Sequence, residues 1–149
     1  MADLKQFLQL FNPLPGNHYL VVSTCRDEMT DELSSILEKV DGKLDVALYN
    51  EENLDFSKPF RALARSNDMV ILKDVYHAHQ NKKLILKIAY TSLANTAEII
   101  IMEKKGVMDT QAMKETLEEF EFRAANEIDI VEGYDLVMAK KMHMWGNGL

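Results

Sequence analysis

The chain has 149 residues, of which 47% are hydrophobic and 28% are charged, and its formal net charge at pH 7 is −7. This length suits one domain, and the composition is that of a folded protein rather than a disordered one. Affinity for nucleic acids comes mainly from lysine and arginine contacts with phosphates, so the acidic balance argues against a nucleic-acid partner. We expect a single domain over residues 1–149, with residues 1–17 as a leading helix and loop.

A single cysteine, Cys25, excludes an intramolecular disulfide and a cysteine-rich zinc site. No apolar run approaches the roughly 18 residues that are needed to cross a bilayer. The chain also has no charged-then-apolar leader at its start. We therefore expect a cytoplasmic protein that makes no membrane contact.

The first third of the chain predicts two helices and two strands. Residues 2–11 carry apolar side chains at helical spacing, and the sequence NPLPGN then stops the helix. Residues 19–22 form a strand pattern, and apolar positions along residues 29–40 predict a helix that Asp41-Gly42 closes. Residues 44–49 predict a second strand.

The middle of the chain alternates between strand and helix patterns. Residues 56–65 are weakly helical. Residues 69–72 are a continuous apolar run and residues 97–102 read AEIIIM, and we expect both to be strands that are covered on both faces. Residues 82–96 have helical periodicity, and Asp109 or Thr110 can cap a further helix.

The last part of the chain predicts a hairpin. Residues 128–131 and 134–139 flank Glu132-Gly133, which is a two-residue turn signal. Alternating strands and helices predict an α/β protein with a three-layer α/β/α sandwich. Its sheet is expected to be Rossmann-like and mostly parallel, with a C-terminal antiparallel hairpin strand at an edge.

Three segments between residues 60 and 140 resemble the C-terminal half of the class I S-adenosylmethionine-dependent methyltransferases. They read FRALARSNDMVILKDVYHAH, LILKIAYTSLANTAEIIIMEKKG and EFEFRAANEIDIVEGYDLVMAKK. In that family the fourth strand ends in a D-V-L-H-H-like stretch, a long helix leads to a buried fifth strand, and the chain finishes with a helix and a reversed strand. The resemblance implies one methyltransferase-like domain and S-adenosylmethionine as the cofactor.

The turn after the first strand departs from the family's pattern. In the family a glycine-rich turn lets the backbone approach the methionine and ribose portions of the cofactor, because glycine has no side chain. Here the turn reads Ser23-Thr24-Cys25-Arg26-Asp27, and Thr24 can instead cap the following helix. The resemblance assigns six residues to the cofactor. Ser23, Thr24 and Cys25 lie on the turn, Asn50 and Glu51 are approximate matches to the acid that holds the ribose, and Asp55 lies near the adenine.

Ligands of open α/β sheets bind outside the carboxyl ends of the strands. We expect four such ends to lie together: residues 23–27, 50–53, 74–79 and 103–106. In the methyltransferase interpretation, Asp74 and His77 match the position that faces the methyl acceptor, where a histidine can act as a general base. With His79 they read D-x-x-H-x-H, which is not a specific zinc or iron signature, so we predict no metal.

Three functions fit these patterns. A non-catalytic descendant, acting as a nucleotide- or nucleoside-binding or regulatory domain, is favoured by the missing glycines. It is also favoured by the short segment before Asp68, which leaves the third strand missing or vestigial. An active small-molecule methyltransferase is the alternative. The third is a receiver-like signalling domain, with Asp74 as phosphoacceptor and Asp27-Glu28 as its acidic pair.

The expected partners are a small molecule and a second copy of the chain. The C-terminal tail reads KKMHMWGNGL and continues the last predicted strand. Its Trp145, Met142 and Met144 can pack at a sheet edge or across a dimer interface, where an unpaired edge strand would be covered. We therefore predict a homodimer through the C-terminal strand and tail.

Overall fold

The computed structural model describes residues 4–142. Its helices and strands, in chain order, are α1 (Leu4–Leu8), β1 (His18–Ser23), α2 (Glu28–Glu38), β2 (Lys43–Leu48), β3 (Asn67–Lys73), α3 (Lys82–Ser92), β4 (Leu93–Lys104), α4 (Thr110–Glu119), β5 (Phe122–Ile128) and β6 (Tyr134–Lys141). None of the helices within these residues is long and apolar enough to cross a membrane.

The strands form one six-stranded sheet in the order β2-β1-β3-β4-β6-β5. β1 pairs in parallel with β2 and β3, and β3 pairs in parallel with β4. β6 runs antiparallel to both β4 and β5. The predicted α/β class and the mostly parallel, Rossmann-like sheet are therefore confirmed.

Two apolar cores, one on each face of the sheet, hold the three layers together. In β1, Val21 faces the core formed with α1 and α2, whereas Val22 faces the core formed with α3 and α4. Because alternate residues of a strand point to opposite faces, a strand between two helix layers needs apolar residues throughout. The runs at 69–72 and 99–102 follow this rule, and they lie in the two central strands.

Each longer helix begins at a side chain that accepts a hydrogen bond from the first turn. Asp27 caps α2, since its carboxylate accepts from the backbone N–H of Thr30 at 3.1 Å. The expectation that Thr24 caps this helix is wrong, because the chain bends after β1 and the helix begins only at Glu28. Asp109 caps α4, which decides between the two predicted candidates.

Two sequence expectations about the loops differ from the structure. Residues 56–65 form no helix, since Asp55 and Ser57 make a tight turn and Phe60 is buried in the core. The strand predicted at 128–131 is displaced in the structure. Its counterpart, β5, ends at Ile128, the residue at which the predicted strand begins. A register shift between Arg123 and Asn126 interrupts its pairing, and this irregularity conceals the strand in the sequence.

The sequence predicted the reversed strand at an edge of the sheet. In the structure this strand, β6, lies inside the sheet. It is paired with β4 on one side and with β5 on the other, so the edges of the described sheet are β2 and β5. The predicted dimer contact through the C-terminal tail, including Trp145, lies outside the described residues and stays a prediction.

Candidate functional site at the carboxyl ends of the strands

A cleft of about 340 Å³ lies where the carboxyl ends of β1, β3 and β4 meet. Thr24 lines it from the β1 end, Asp74 from the β3 end, and Glu103 from the β4 end. Its volume is at the low end of the range of about 300–1,000 Å³ that is typical of small-molecule sites. Three of the four stretches expected to converge therefore line one cleft.

A buried lysine joins the end of β3 to the start of α2. Lys73 is 6% exposed, and its Nζ lies 3.2 Å from Oδ2 of Asp27 and 3.5 Å from Oδ2 of Asp74. The same ammonium lies 5.0 Å from the ring centroid of Tyr134. Burial acts to lower the pKa of Lys73, but Tyr134 and Asp27 outweigh it and raise the pKa above its ordinary value. Lys73 is thus a fixed positive charge beside the β1–α2 turn.

Asp74, one of the two predicted catalytic residues, is bound on both sides. Its Oδ2 accepts a hydrogen bond from the hydroxyl of Tyr134 at 2.9 Å and lies within reach of Lys73. Its backbone φ of 59° is in the left-handed region, where aspartate is tolerated better than most residues. Backbone strain of this kind collects at ligand-binding positions as well as at tight turns.

His77, the other predicted catalytic residue, is paired with a buried carboxylate. Its backbone N–H donates to Oε2 of Glu103 at 3.3 Å, and its Nδ1 lies 3.5 Å from the same oxygen. Burial raises the pKa of Glu103, which is 4% exposed. The imidazole borders a shallow hollow beside Lys82 and Asp109, next to the cleft and not within it. A carboxylate and an imidazole so placed can orient a general base towards that hollow.

The three turn residues assigned to the cofactor have different environments. Ser23 is 1% exposed, and its hydroxyl has no hydrogen-bond partner within residues 4–142. Thr24 is half-buried in the cleft wall, whereas Cys25 is exposed. The residues that replace the family's glycines thus put a buried hydroxyl, a half-buried threonine and an exposed thiol at the end of β1.

The predicted ribose and adenine contacts lie in exposed turns after β2. The side-chain oxygen of Asn50 accepts from the backbone of Glu52 and from the side chain of Asn53. Asp55 accepts from the backbone and the hydroxyl of Ser57, and these hydrogen bonds hold its pKa below the usual value. Glu51 is exposed. None of the three predicted residues lines the strand-end cleft.

Aromatic side chains fill the space beside the end of β2. The rings of Tyr49 and Phe56 are stacked, with centroids 5.2 Å apart. The Tyr49 hydroxyl donates to the carbonyl of Lys58 at 2.7 Å, and burial raises the pKa of Tyr49 to about 12. Nε2 of His79 lies 2.8 Å from the same carbonyl, while its Nδ1 accepts from the backbone of Asn81. His79 therefore fastens the loop after β2 to the β3–α3 connection.

Metal binding finds no support in the part of the chain that the structure describes. Residues 4–142 contain no group of three or more histidine, cysteine, aspartate or glutamate side chains placed to hold a metal ion. Asp74, His77 and His79 each have the separate partners described above.

Two residues of this site were missed by sequence reasoning. Lys73 ends the apolar run 69–72, and a lysine at the end of a doubly covered strand is a signal that could have been used. Tyr134 reaches Asp74 across 60 residues of sequence, and nothing local to it indicates this contact.

The sequence matches no protein-family model and no curated protein. Among solved structures, the chain is similar to a SAM-dependent methyltransferase from Aquifex aeolicus, with a TM-score of 0.78 and 16% identity, over 94% of this chain and 90% of that one. It is also similar to phosphoethanolamine N-methyltransferase 2 of Haemonchus contortus in complex with S-adenosyl-L-methionine, with a TM-score of 0.70 and 7% identity. Human N-acetylserotonin methyltransferase in complex with SAM gives a TM-score of 0.64 and 15% identity.

The chain has a class I S-adenosylmethionine-dependent methyltransferase-like fold. It covers 53% of the Haemonchus chain and 52% of the human one, so it spans about half the length of those two proteins. Both of those structures hold S-adenosylmethionine, the predicted cofactor. The structural similarity establishes a common fold. At identities of 16% or less it establishes no activity, which has to be argued from this chain's own residues.

Those residues fit the cofactor's methionine portion poorly in the conformation seen here. The family's open glycine turn is replaced by side chains, and the ammonium of Lys73 lies beside that turn, held by Asp27. The strand-end cleft, beside Thr24 and Asp74, offers space for a ligand.

Proposed function

We propose that this chain is a methyltransferase-like domain that transfers no methyl group and acts as a nucleoside-binding or regulatory domain. The observation that carries the proposal is the ion pair between Lys73 and Asp27, which ties the β1–α2 turn to the end of β3. Methyl transfer requires the donor to be held in one precise orientation relative to the acceptor. A turn that carries side chains and is tied down by an ion pair lacks the open backbone approach by which a glycine-rich turn holds the donor.

The loop after β2 supports the same proposal. Tyr49 and His79 hold this loop against the sheet, and the carboxylates of Glu51 and Asp55 remain in exposed turns. A ribose held in the family's manner needs an acid at the end of the second strand. Here the nearest acids are turned into solvent, away from the cleft.

The cleft lined by Thr24, Asp74 and Glu103 keeps groups that suit a nucleoside. The carboxylates can accept hydrogen bonds from ribose hydroxyls and base amino groups, and the hydroxyl can both donate and accept. Phe56 at the cleft wall offers an aromatic face on which a base can stack. Regulatory binding without chemistry needs no more than these contacts.

Titration calorimetry with S-adenosylmethionine and S-adenosylhomocysteine tests the proposal on the full chain. We expect dissociation constants of about 100 μM or weaker for both ligands, because few contacts of the ligand are satisfied. We also expect no formation of S-adenosylhomocysteine when small amines and hydroxyl compounds are supplied as acceptors. The variant Lys73→Ala should bind S-adenosylhomocysteine more tightly than the wild type, because it releases the β1–α2 turn. Formation of S-adenosylhomocysteine by the wild type that is lost in Asp74→Asn would overturn the proposal.

An active small-molecule methyltransferase is the second candidate, and one observation favours it. The pairing of His77 with Glu103 places a potential general base beside a hollow at the carboxyl ends of the strands. Turnover that falls in His77→Gln while the affinity for S-adenosylmethionine is unchanged would establish this candidate. The absence of turnover with micromolar binding would instead assign a binding role.

The receiver-like alternative is not supported by the topology. The sheet ends in the antiparallel strand β6 and its neighbour β5, whereas a receiver ends in a strand-helix unit. Asp27, a member of the predicted acidic pair, caps α2 and binds Lys73.

A further inference from the structure

A second cavity, which we call the β1–β2 groove, lies on the sheet face that also carries α3 and α4. Its volume is about 490 Å³, and it shares no lining residue with the strand-end cleft. Leu20 and Ala47 line it from the two strands, and residues 61–63 form its outer wall. The groove is therefore a cavity separate from the strand-end cleft.

The groove exists because the segment between β2 and β3 is short and irregular. Residues 49–66 contain no helix and only the isolated bridge between Tyr49 and Leu54. A loop therefore covers the outer part of the sheet where a helix would pack more completely. As a result, five of the six residues of β2 are only half-buried.

The floor and outer wall of the groove are largely apolar. Leu20 is almost fully buried in its floor, and Ala47 is half-buried there. Leu63, on the outer wall, is 80% exposed, which is unusual for so large an apolar side chain. Such a surface favours a ligand with an apolar body, because contact removes apolar area from water.

Two arginines on the groove carry uncompensated positive charge. Arg26 follows the end of β1, and Arg61 lies on the outer wall. Within residues 4–142, neither guanidinium has a carboxylate within 4.0 Å, whereas Arg123 at the other edge of the sheet lies 3.5 Å from Glu121. Free guanidinium groups in a chain of net charge −7 indicate recognition of a carboxylate or phosphate.

The acid that lines the groove has partners of its own. Oδ2 of Asp45 lies 2.7 Å from Nε2 of His18, and its Oδ1 lies 3.7 Å from Nζ of Lys43. The other ring nitrogen of His18 lies 3.0 Å from the carbonyl of Ser66. Asp45 is therefore paired with His18 and Lys43 and not with either arginine.

The end of the groove near His18 holds a polar group without a partner. Asn67 is 2% exposed, and within residues 4–142 its side-chain oxygen accepts no hydrogen bond. A buried amide oxygen without a donor is costly, and a ligand hydroxyl or amide can satisfy it. Since a strand rises about 3.3 Å per residue, the six residues of β1 separate this end from Arg26 by roughly 16 Å or more.

We propose that the β1–β2 groove binds an amphipathic organic anion with an apolar body. Its carboxylate or phosphate group pairs with Arg26 and Arg61, and its body lies over Leu20 and Ala47. A hydroxyl or amide at the far end of the molecule donates to Asn67. This site is independent of the proposed function, since it shares no residue with the strand-end cleft.

Four probes that differ in one property each test the proposal by calorimetry or by amide chemical shifts. Octanoate and octyl phosphate carry both the apolar body and the anion, octyltrimethylammonium carries the same body with the opposite charge, and acetate lacks the body. We expect one of the two octyl anions to bind at least tenfold more tightly than the cation and than acetate. The tighter of the two anions identifies the head group. Equal binding of octanoate, octyl phosphate and octyltrimethylammonium, or no binding of either anion at 10 mM, overturns the proposal.

Variants separate the groove from the rest of the surface. Arg61→Gln removes one guanidinium from an exposed position and should weaken binding of the octyl anion about tenfold. Arg123→Gln, at the other edge of the sheet, is the matched control and should change nothing. Ala47→Phe should block the groove while leaving both arginines in place. Equal affinities of the Arg61→Gln and Arg123→Gln variants contradict the proposed site.

Discussion

Nζ of Lys73 and Oδ2 of Asp27 lie 3.2 Å apart and connect the end of a central strand with the first turn of α2. Asp27 also caps that helix, so one carboxylate satisfies both a backbone N–H and a buried ammonium. The ion pair therefore ties the turn after β1 to the end of β3.

Replacing Lys73 by methionine should destabilise the fold. The variant keeps the apolar stem but leaves Asp27 and Asp74 without their cation. Both carboxylates are partly exposed, so we expect a loss of about 2 kcal/mol, less than for a fully buried pair. Urea unfolding of the wild type and the variant measures the difference.

Lys43→Met is the matched control for that measurement. Lys43 is 74% exposed and lies 3.7 Å from Asp45, so its pair should contribute less than about 0.5 kcal/mol. If the two variants lost equal stability, the ion pair of Lys73 would have no special role.

Tyr49→Phe should loosen the loop after β2. The substitution removes the hydroxyl that donates to the carbonyl of Lys58, at a cost of about 1 kcal/mol. We expect faster hydrogen exchange at the amides that anchor this loop, including Leu54 and Gln80, with β3 and β4 unchanged. Tyr76→Phe is the control, because Tyr76 is also buried and no hydrogen bond of its hydroxyl is found within residues 4–142. Exchange that rises equally in both variants would contradict the anchoring role.

The central strands could be predicted because their signal is local. Residues 69–72 and 99–102 are apolar at every position, which only a doubly covered strand requires. β5 was misplaced because FRAANEI alternates weakly, and Ala124 has a φ of 56° at the irregular part of the pairing. The reversed strand β6 was wrongly predicted at the edge of the sheet. A hairpin pattern shows that two strands pair, but it does not show which of the two lies at the edge.

The site was predicted less well than the fold. Brändén's rule indicated the end of the sheet where the candidate cleft lies, and Thr24 and Asp74 line this cleft. The cluster of Lys73, Tyr134 and Asp27 depends on contacts between residues far apart in sequence, which no single stretch of the chain shows. Asn50 and Asp55 matched the family by position, but both are used by their own turns.

A homodimer through the C-terminal region would have to rely on residues 142–149, because both sides of β6 are already paired. We expect the full chain to sediment as a dimer and a chain ending at residue 141 to sediment as a monomer. Val46→Lys, at the free edge of β2, is the control and should leave the dimer intact. A full chain that sediments as a monomer contradicts the proposed dimer, and a dimer that is lost only in Val46→Lys assigns the contact to β2.

Glu103→Gln should make the stability of the protein less dependent on pH. Burial raises the pKa of Glu103 in the folded state above the value of 4.5 expected in the unfolded chain. The stabilisation from its protonated form is complete below that unfolded pKa and is lost as the pH rises through the folded pKa. Glutamine resembles the protonated form and can still accept from the backbone N–H of His77. Thermal midpoints of variant and wild type should agree near pH 4 and differ by about 2–4 °C in favour of the variant at pH 7.

Glu115→Gln, on the exposed side of α4, separates burial from the simple loss of one negative charge. It removes the same charge from the surface, so its midpoint should follow that of the wild type at both pH values. If Glu103→Gln were instead destabilising at pH 7 and neutral near pH 4, the ionised carboxylate would be the favoured form. Its pairing with His77 would then outweigh burial, and the general-base arrangement of the second candidate function would gain support.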